Sequence, residues 1–302
     1  MSVDLPPGLL DSLAVRPQRV LVLKDVPDEN GSWLLELPRG QQLVLRGYHY
    51  DASTEELYYE HEVLRYLAQA GWVVPDPVGE LVRGEDRWYC LTRYVPGQAV
   101  TEEDAGQQRR RGRDLARLHL ALRGLAERLG QRARWRAQHQ GVTLQTDVDW
   151  TTCVRALAEV SPRLAAWAEV ATGQTQAALA AIGAGALPVM VVHGDFASWN
   201  VHYQSGRLAG VIDFGLTHLD TRPYELAIAR TWRAPAMVDA YRTELARLGW
   251  PLSALEEAAI VPLYHAFRLD QISWPLTKGL GTGEFDLPAI ERQLSRTGTR
   301  PP

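Results

Sequence analysis

Cysteine is scarce in this sequence, with only Cys90 and Cys153 in 302 residues. Neither lies in a CxxC or Cys/His cluster, which excludes a disulfide framework and a structural zinc site and fits a reducing cytoplasm. Charge of one sign is lacking too. A net charge of −4 leaves no electrostatic footprint for nucleic acid or an acidic membrane. Long apolar runs are missing: the longest stretch without a polar or charged side chain, 177–192, is alanine-rich and broken by Gly183, Gly185 and Pro188. It is too interrupted to span a bilayer and reads as a helix end, a turn and a strand. The start, MSVDLPPGLLDSL, puts Asp4 and two prolines where a secretory signal needs a basic and then an apolar segment. The expectation is a cytoplasmic protein without nucleic-acid or membrane partners.

What remains is an ordinary globular composition, 46% hydrophobic and 23% charged, in a chain long enough for two lobes. One basic cluster, Arg109, Arg110, Arg111, Arg113 and Arg117, lies beside Leu115, Leu118 and Leu122. It reads as an amphipathic helix with a solvated basic face rather than a nucleic-acid site.

The first hundred residues alternate as short strands: RVLVLKDV, GSWLLELP and QQLVLRGYH, separated by turn signals at Asp28–Gly31 and Pro38–Gly40. TEELYYEHEVLRYLAQAG reads as a helix capped by Ser53 or Thr54, with Gly71 past its end, and strands follow near 78–82 and 88–94. Pro96 and Gly97 then break the pattern. Beyond them the chain is mainly helical, near 105–129, 150–159, 173–182, 223–248 and 252–273. The expected architecture is α+β with a small antiparallel β-rich lobe, 1–96, and a larger helical lobe, 97–302.

The chemistry concentrates in VVHGDFASWNVHY, 191–203, where His193, Asp195 and Asn200 spell H-x-D-x-x-x-x-N, and in VIDFG, where Asp213 ends another apolar run. Phosphoryl transfer needs hard oxygen ligands for a metal on the donor phosphates, and one separate carboxylate to orient the attacking hydroxyl and accept its proton. Asp195, Asn200 and Asp213 meet that inventory. Apolar flanks would hold them at strand ends.

VVHGDFASWNV, GRLAGVIDFG and PYELA, with EHEVLRYLAQAG, VVPDPVGEL, RYVPG and LARLH elsewhere, resemble the aminoglycoside phosphotransferase and choline-kinase-like family of small-molecule kinases, which have the two-lobed protein-kinase fold. HGD in place of HRD, with no APE motif after DFG, separates the chain from protein kinases. The resemblance implies an enzyme using ATP and magnesium on a hydroxyl-bearing small molecule, an antibiotic (and hence antibiotic resistance) or a metabolite. It implies Asp195 as base, Asn200 and Asp213 as magnesium ligands, and His193 as a prop for the loop, with proton transfer by His193 the lesser alternative. It also places Arg46, in LVLRG, where a protein kinase has its strand lysine, and backbone groups of Arg93 and Val95 at an adenine hinge. Lys24 is the rival cation, and a surface arginine on an edge strand is the bland reading of Arg46. Arg46's partner should face inward from the next helix: at about 100° per residue, Glu60 falls within the stripe of Leu57, Leu64 and Leu67, while Glu62 points away. The glycine loop is thin, offering Gly31 and Ser32 rather than GxGxxG.

The acceptor is less legible. Asp147, Asp149, Trp150 and His218, then Tyr264, His265, Arg268, Asp270 and Trp274, are candidates, although helical spacing also fits the last group to core packing. Glu225 reads as a tie from its helix to the catalytic loop, and Asp220 as a turn or cap residue. Residues 216–302 carry 10 acids and 10 bases, which argues against an acidic pocket for a polycationic antibiotic. The alternatives are a kinase of an amino alcohol or homoserine-like metabolite, and a pseudokinase that binds nucleotide without transfer.

Overall fold

The computed structural model describes residues 5–24, 30–100, 102–231 and 233–301. The turn expected at Asp28–Gly31 lies largely outside them. In chain order the elements are α1 (Leu9–Ser12), β1 (Arg19–Lys24), β2 (Gly31–Glu36), β3 (Gln42–Gly47), α2 (Thr54–Gln69), β4 (Pro77–Arg83), β5 (Trp88–Arg93), β6 (Gln98–Ala99), α3 (Ala105–Leu122), α4 (Ala126–Leu129), α5 (Trp150–Val160), α6 (Pro162–Ala181), β7 (Met190–Val192), β8 (Val201–Gln204), β9 (Arg207–Val211), β10 (His218–Asp220), α7 (Arg222–Thr231), α8 (Pro235–Arg247), α9 (Ala254–Thr282) and α10 (Leu287–Leu294). They form two compact units, 1–101 with 198–215, and 102–197 with 216–302. Among the described residues no helix is long and apolar enough to cross a membrane.

The first unit is built on an antiparallel sheet of order β1-β2-β3-β5-β4. Its strands alternate because successive side chains leave opposite faces. Leu43 and Leu45 of β3 enter an apolar layer with Leu9, Trp33, Leu35 and Leu91, while Val44 and Arg46 project to the other side. Helix α2 starts at Ser53, whose hydroxyl accepts from Glu56 N–H in a capping box, and is followed by Gly71 at φ 86°. Leu57, Val63, Leu64 and Leu67 are buried on it together with Glu60, while Glu62 is exposed and paired with Arg65. A second sheet, β6-β8-β9, completes the unit.

That second sheet explains why 198–215 belongs with the first hundred residues. β6 pairs with β8, and Val211 donates its N–H to Val73 O at 3.0 Å. A boundary placed at 96/97 from local sequence misses this return, since pairing between segments a hundred residues apart leaves no mark on either.

The second unit packs α3 against α8, α7 against α9, and α5, α6, α9 and α10 around a core containing Leu157, Trp167, Leu269, Ile272 and Leu294. Gly112 makes the α3–α8 approach possible: a Cβ there would lie 2.2 Å from Met237 O. Several helices differ from their sequence bounds. The helix expected from 105 to 129 stops at Leu122, before Gly124 at φ 89°. The one expected at 173–182 begins at Pro162, a residue tolerated at the first helical position. Helix α9 runs through Pro262 and Pro275 to Thr282, where Gly283 ends it at φ 78°. The 223–248 pattern divides into α7 and α8, the latter opening on Pro235.

Candidate functional site

In the first unit a cavity of about 480 Å³ opens on the polar-facing side of β3. Cross-strand register builds its wall: Ser32 pairs with Arg46, and Val44 with Thr92. Val44, Pro75, Thr92 and Ile212 give it an apolar floor, the backbone passes along it from Arg93 to Val95, and Lys24, Asn30, Ser32, Arg46, His49 and Asp213 supply polar groups. This is the makeup of a small-ligand pocket, apolar with a few placed polar groups. Of the cofactor residues expected from sequence, Ser32, Arg46, Arg93 and Val95 line it, as does the rival cation Lys24. Glu60 is buried on α2 and acts on Arg46 electrostatically.

Arg46 Nη2 donates to Asp213 Oδ1 at 3.0 Å, and its guanidinium lies 5.5 Å from the Tyr48 ring centroid. Burial opposes the charge, but Glu60 and Asp213 outweigh it, so the guanidinium is held ionised more firmly than a free one. Behind it Tyr48 Oη meets His61 Nε2 at 2.8 Å. Burial, then Arg65 and Arg46, push the His61 imidazole down to about 4, so this ring stays neutral beside the cation.

The β8–β9 hairpin brings Asn200 and Asp213 together. Ile212 N–H donates to Asn200 O at 2.9 Å, Val201 pairs with Val211, and the turn at Ser205 and Gly206 has both φ values positive, as a tight hairpin requires. Asn200 is buried, whereas the Asp213 side chain is half exposed and its backbone is left-handed at φ 61°. A carboxamide and a carboxylate are hard oxygen donors that suit a magnesium ion sharing its sphere with phosphates and water. Among the described residues no group of three or more His, Cys, Asp or Glu could hold a metal by itself.

In the second unit the loop after β7 is pinned from below. Glu225 accepts from the backbone N–H of His193 at 3.1 Å and of Gly194 at 3.0 Å, and His119 Nε2 lies 3.2 Å from the same carboxylate. Burial opposes ionisation of Glu225, but the His119 hydrogen bond, the two nearby histidines and the His193 N–H outweigh it and lower its pKa. Gly194 sits at φ 87°, and a Cβ there would be 2.2 Å from Leu216 O, so only glycine fits. His193 is fully buried, and its Nδ1 accepts the Asp195 N–H at 3.2 Å. This is a structural arrangement, with the ring bracing the loop. Asp195 itself is partly exposed.

One residue here was missed. Arg111, read as part of a solvated basic face, is 1% exposed: it grips Glu103 with Nε and Nη2 at 2.8 and 2.6 Å and donates from Nη1 to Phe196 O at 2.6 Å. A carboxylate eight residues upstream was the available signal. Asp220 likewise departs from a turn or cap role. It is fully buried in β10 and accepts from Gln138 N–H at 2.7 Å and Thr221 N–H at 2.6 Å.

The acceptor candidates scatter. Asp149 caps α5 through the N–H groups of Thr151 and Thr152, and Trp150 packs against the α5–α6–α9 core. His218 is fully buried with Nδ1 at 2.7 Å from Leu216 O and Nε2 at 3.3 Å from Asp220 Oδ2. Asp270, partly buried, accepts from Leu144 N–H at 2.8 Å; burial leads in pushing its carboxyl up to about 6, with Asp220 adding to it. Asp220 and Asp270 thus hold the 138–144 segment. Tyr264 lies between Arg230 and Arg268, half-buried His265 adjoins it, and Arg268 reaches Gln293 Oε1 at 3.1 Å. Trp274 is 70% exposed beneath Lys278. His218, Asp220 and Asp270 adjoin one another; Asp149 and Trp274 are surface residues of other elements.

A family model described as "Phosphotransferase enzyme family" matches residues 25–259. The chain is 28% identical over 262 residues to a homoserine kinase of Phenylobacterium zucineum, covering 80% of this chain and 74% of that one. It is 31% identical over 208 residues to a homoserine kinase of Gluconobacter oxydans, covering 66% and 61%. Among solved structures it is similar to aminoglycoside phosphotransferase APH(4)-Ia (TM-score 0.63, 18% identity, 98% of this chain and 100% of that one). It is also similar to aminoglycoside 2'-phosphotransferase-IIIa in its GDP complex (TM-score 0.68, 17% identity, 96% and 94%). The structural likenesses establish the kinase-like fold.

Proposed function

The chain belongs to the phosphotransferase enzyme family, and on that premise we propose that it moves the γ-phosphoryl group of ATP to the hydroxyl of a small amino-acid-like alcohol such as homoserine. The observation that carries the reading is the cavity in which Arg46 meets Asp213, because a cation able to hold phosphate there adjoins a carboxylate able to hold a metal, with the Asn200 backbone bonded to the neighbouring Ile212. The curated relatives that share most of the chain are named homoserine kinases, which supports the acceptor class. The balanced charge of residues 216–302 argues against a polycationic aminoglycoside.

Residues divide the work as follows. The backbone from Arg93 to Val95 receives the adenine edge, and Arg46, steadied by Glu60, holds the phosphates with Ser32 near by. Asn200 and Asp213 hold magnesium, which when bound neutralises charge on the transferring phosphates. Asp195 accepts a hydrogen bond from the acceptor hydroxyl, orients it for attack and takes its proton. His193 and Glu225 keep the Asp195 loop rigid. The unit formed by 1–101 with 198–215 is the nucleotide-binding lobe, and the helical unit carries the base and the acceptor.

The test is ADP release from Mg-ATP with homoserine, other amino alcohols, sugars and aminoglycosides, with mass spectrometry for the phosphorylated product and Asp195→Ala as control. Turnover on an amino-acid alcohol that disappears in the control supports the reading. Unchanged turnover in Asp195→Ala removes the base assignment, and nucleotide binding with no turnover on any acceptor favours a regulator.

A further inference from the structure

We propose that Tyr241, a residue of α8 far along the chain from the motifs, is a positioning residue that anchors the orientation of the His119 ring and through it the hold of Glu225 on the catalytic loop. The inference rests on the reading of 193–195 as that loop. Three fully buried side chains form the connection: Tyr241 Oη lies 2.7 Å from His119 Nδ1, His119 Nε2 lies 3.2 Å from Glu225 Oε2, and Glu225 accepts the N–H groups of His193 and Gly194. The rings of His119 and Tyr241 meet edge to face at 5.5 Å.

The donor and acceptor inventory fixes the direction. An ionised carboxylate only accepts, so His119 must present Nε2–H to Glu225. Tyr241 Oη meets the ring at its other nitrogen, Nδ1, and so anchors the edge that Glu225 does not hold. Burial, the leading influence, raises the Tyr241 phenol well above its ordinary value, so the phenol proton is retained at working pH. Without the Tyr241 hydroxyl the Nδ1 edge loses its anchor and the ring is free to turn, which would lengthen the Nε2–H contact to the Glu225 carboxylate. The carboxylate would lose one of its donors while its two loop N–H groups remain, and the loop would be held less firmly. Gly112 belongs to the same device, because the close packing of α3 on α8 that it permits brings Tyr241 within reach of His119.

The decisive experiment combines nitrogen-15 NMR of the His119 ring in the full chain with steady-state kinetics of Tyr241→Phe. In the wild-type protein we expect Nε2 protonated and hydrogen-bonded to Glu225. In Tyr241→Phe, which keeps the ring volume, we expect the His119 ring resonances to shift as that bond weakens and kcat to fall about tenfold, with KM for both substrates changed less than about twofold. An unprotonated Nε2 in the wild-type protein would overturn the proposal whether or not the variant folds. So would a folded Tyr241→Phe with unchanged ring resonances or an unchanged kcat. Asp195→Ala separates the two readings: if it keeps turnover, the loop is not the catalytic one, and the ring resonances still decide what Tyr241 does.

Discussion

Arg46 Nη2 and Asp213 Oδ1 lie 3.0 Å apart, so the cation proposed for phosphate and the carboxylate proposed for metal neutralise one another in the free protein. Arg46 is 14% exposed and Asp213 49%, which leaves the aspartate the freer partner to turn toward a metal. Asp213→Ala should therefore abolish the magnesium-dependent part of ATP affinity while metal-free ATP binding persists, since the guanidinium is released to the phosphates. Calorimetric titration with and without magnesium checks this, and retained magnesium dependence would contradict the ligand role.

Arginine at position 46 follows the composition of the chain, whose 32 basic residues include only two lysines, Lys24 and Lys278. Its fork nonetheless does what an ammonium cannot, reaching Asp213 while its plane lies near the Tyr48 ring. Arg46→Lys should lower kcat/KM about tenfold, and Arg46→Ala about a hundredfold, each measured with saturating acceptor.

Arg111 binds two partners that could not be satisfied by anything shorter. Arg111→Ala would leave Glu103 ionised in a buried place and free the Phe196 carbonyl, a loss on the order of 3–5 kcal/mol. Denaturant unfolding of the variant should show a midpoint shift with an unchanged slope. Arg111→Lys should recover part of the stability but not the bidentate grip.

The contrast between Arg111 and Glu60 shows where sequence reading succeeds. Glu60 was placed by helical phase alone, because its neighbours Leu57, Leu64 and Leu67 supplied the stripe and Ser53 and Gly71 marked the ends. The five strands of the first sheet were legible for the same reason, a local period with local punctuation. Arg111 obeyed its period as well. What gave no local sign was that the face it occupies is covered by the loop containing Phe196, 85 residues away. Asp220 and the return of 198–215 to the first unit failed alike, through pairing at long range. The helix expected to end near 273 instead runs through Pro275 to Thr282, since a 29-residue helix packed against α5, α6, α7 and α10 absorbs a missing N–H that would end a marginal one.

Gly194 combines φ 87° with a 2.2 Å approach to Leu216 O, so Gly194→Ala must both strain the backbone and displace the loop. The expected cost is about 2–4 kcal/mol, with activity lost beyond what instability explains. Thermal unfolding alongside turnover at low temperature distinguishes the two effects. A variant with wild-type melting and turnover would mean that the loop tolerates another path.

Asp270 offers a test whose sign separates structure from recognition. Its carboxyl is pushed up to about 6, against an ordinary aspartate value near 3.8, first by burial and also by Asp220. A carboxyl raised on folding makes the folded state bind the extra proton, so its contribution is fully favourable below the ordinary aspartate range and is lost as pH rises through about 6. Asp270→Asn keeps an oxygen for the Leu144 N–H and removes the charge. The variant should therefore be more stable than wild type at pH 8, by on the order of 1–3 kcal/mol, and the difference should vanish near pH 4. If Asp270 serves only to hold the 138–144 segment, KM for the acceptor stays unchanged in the stabilised variant. If its charge also receives an acceptor ammonium group, KM rises while stability still increases, an outcome that burial alone does not produce.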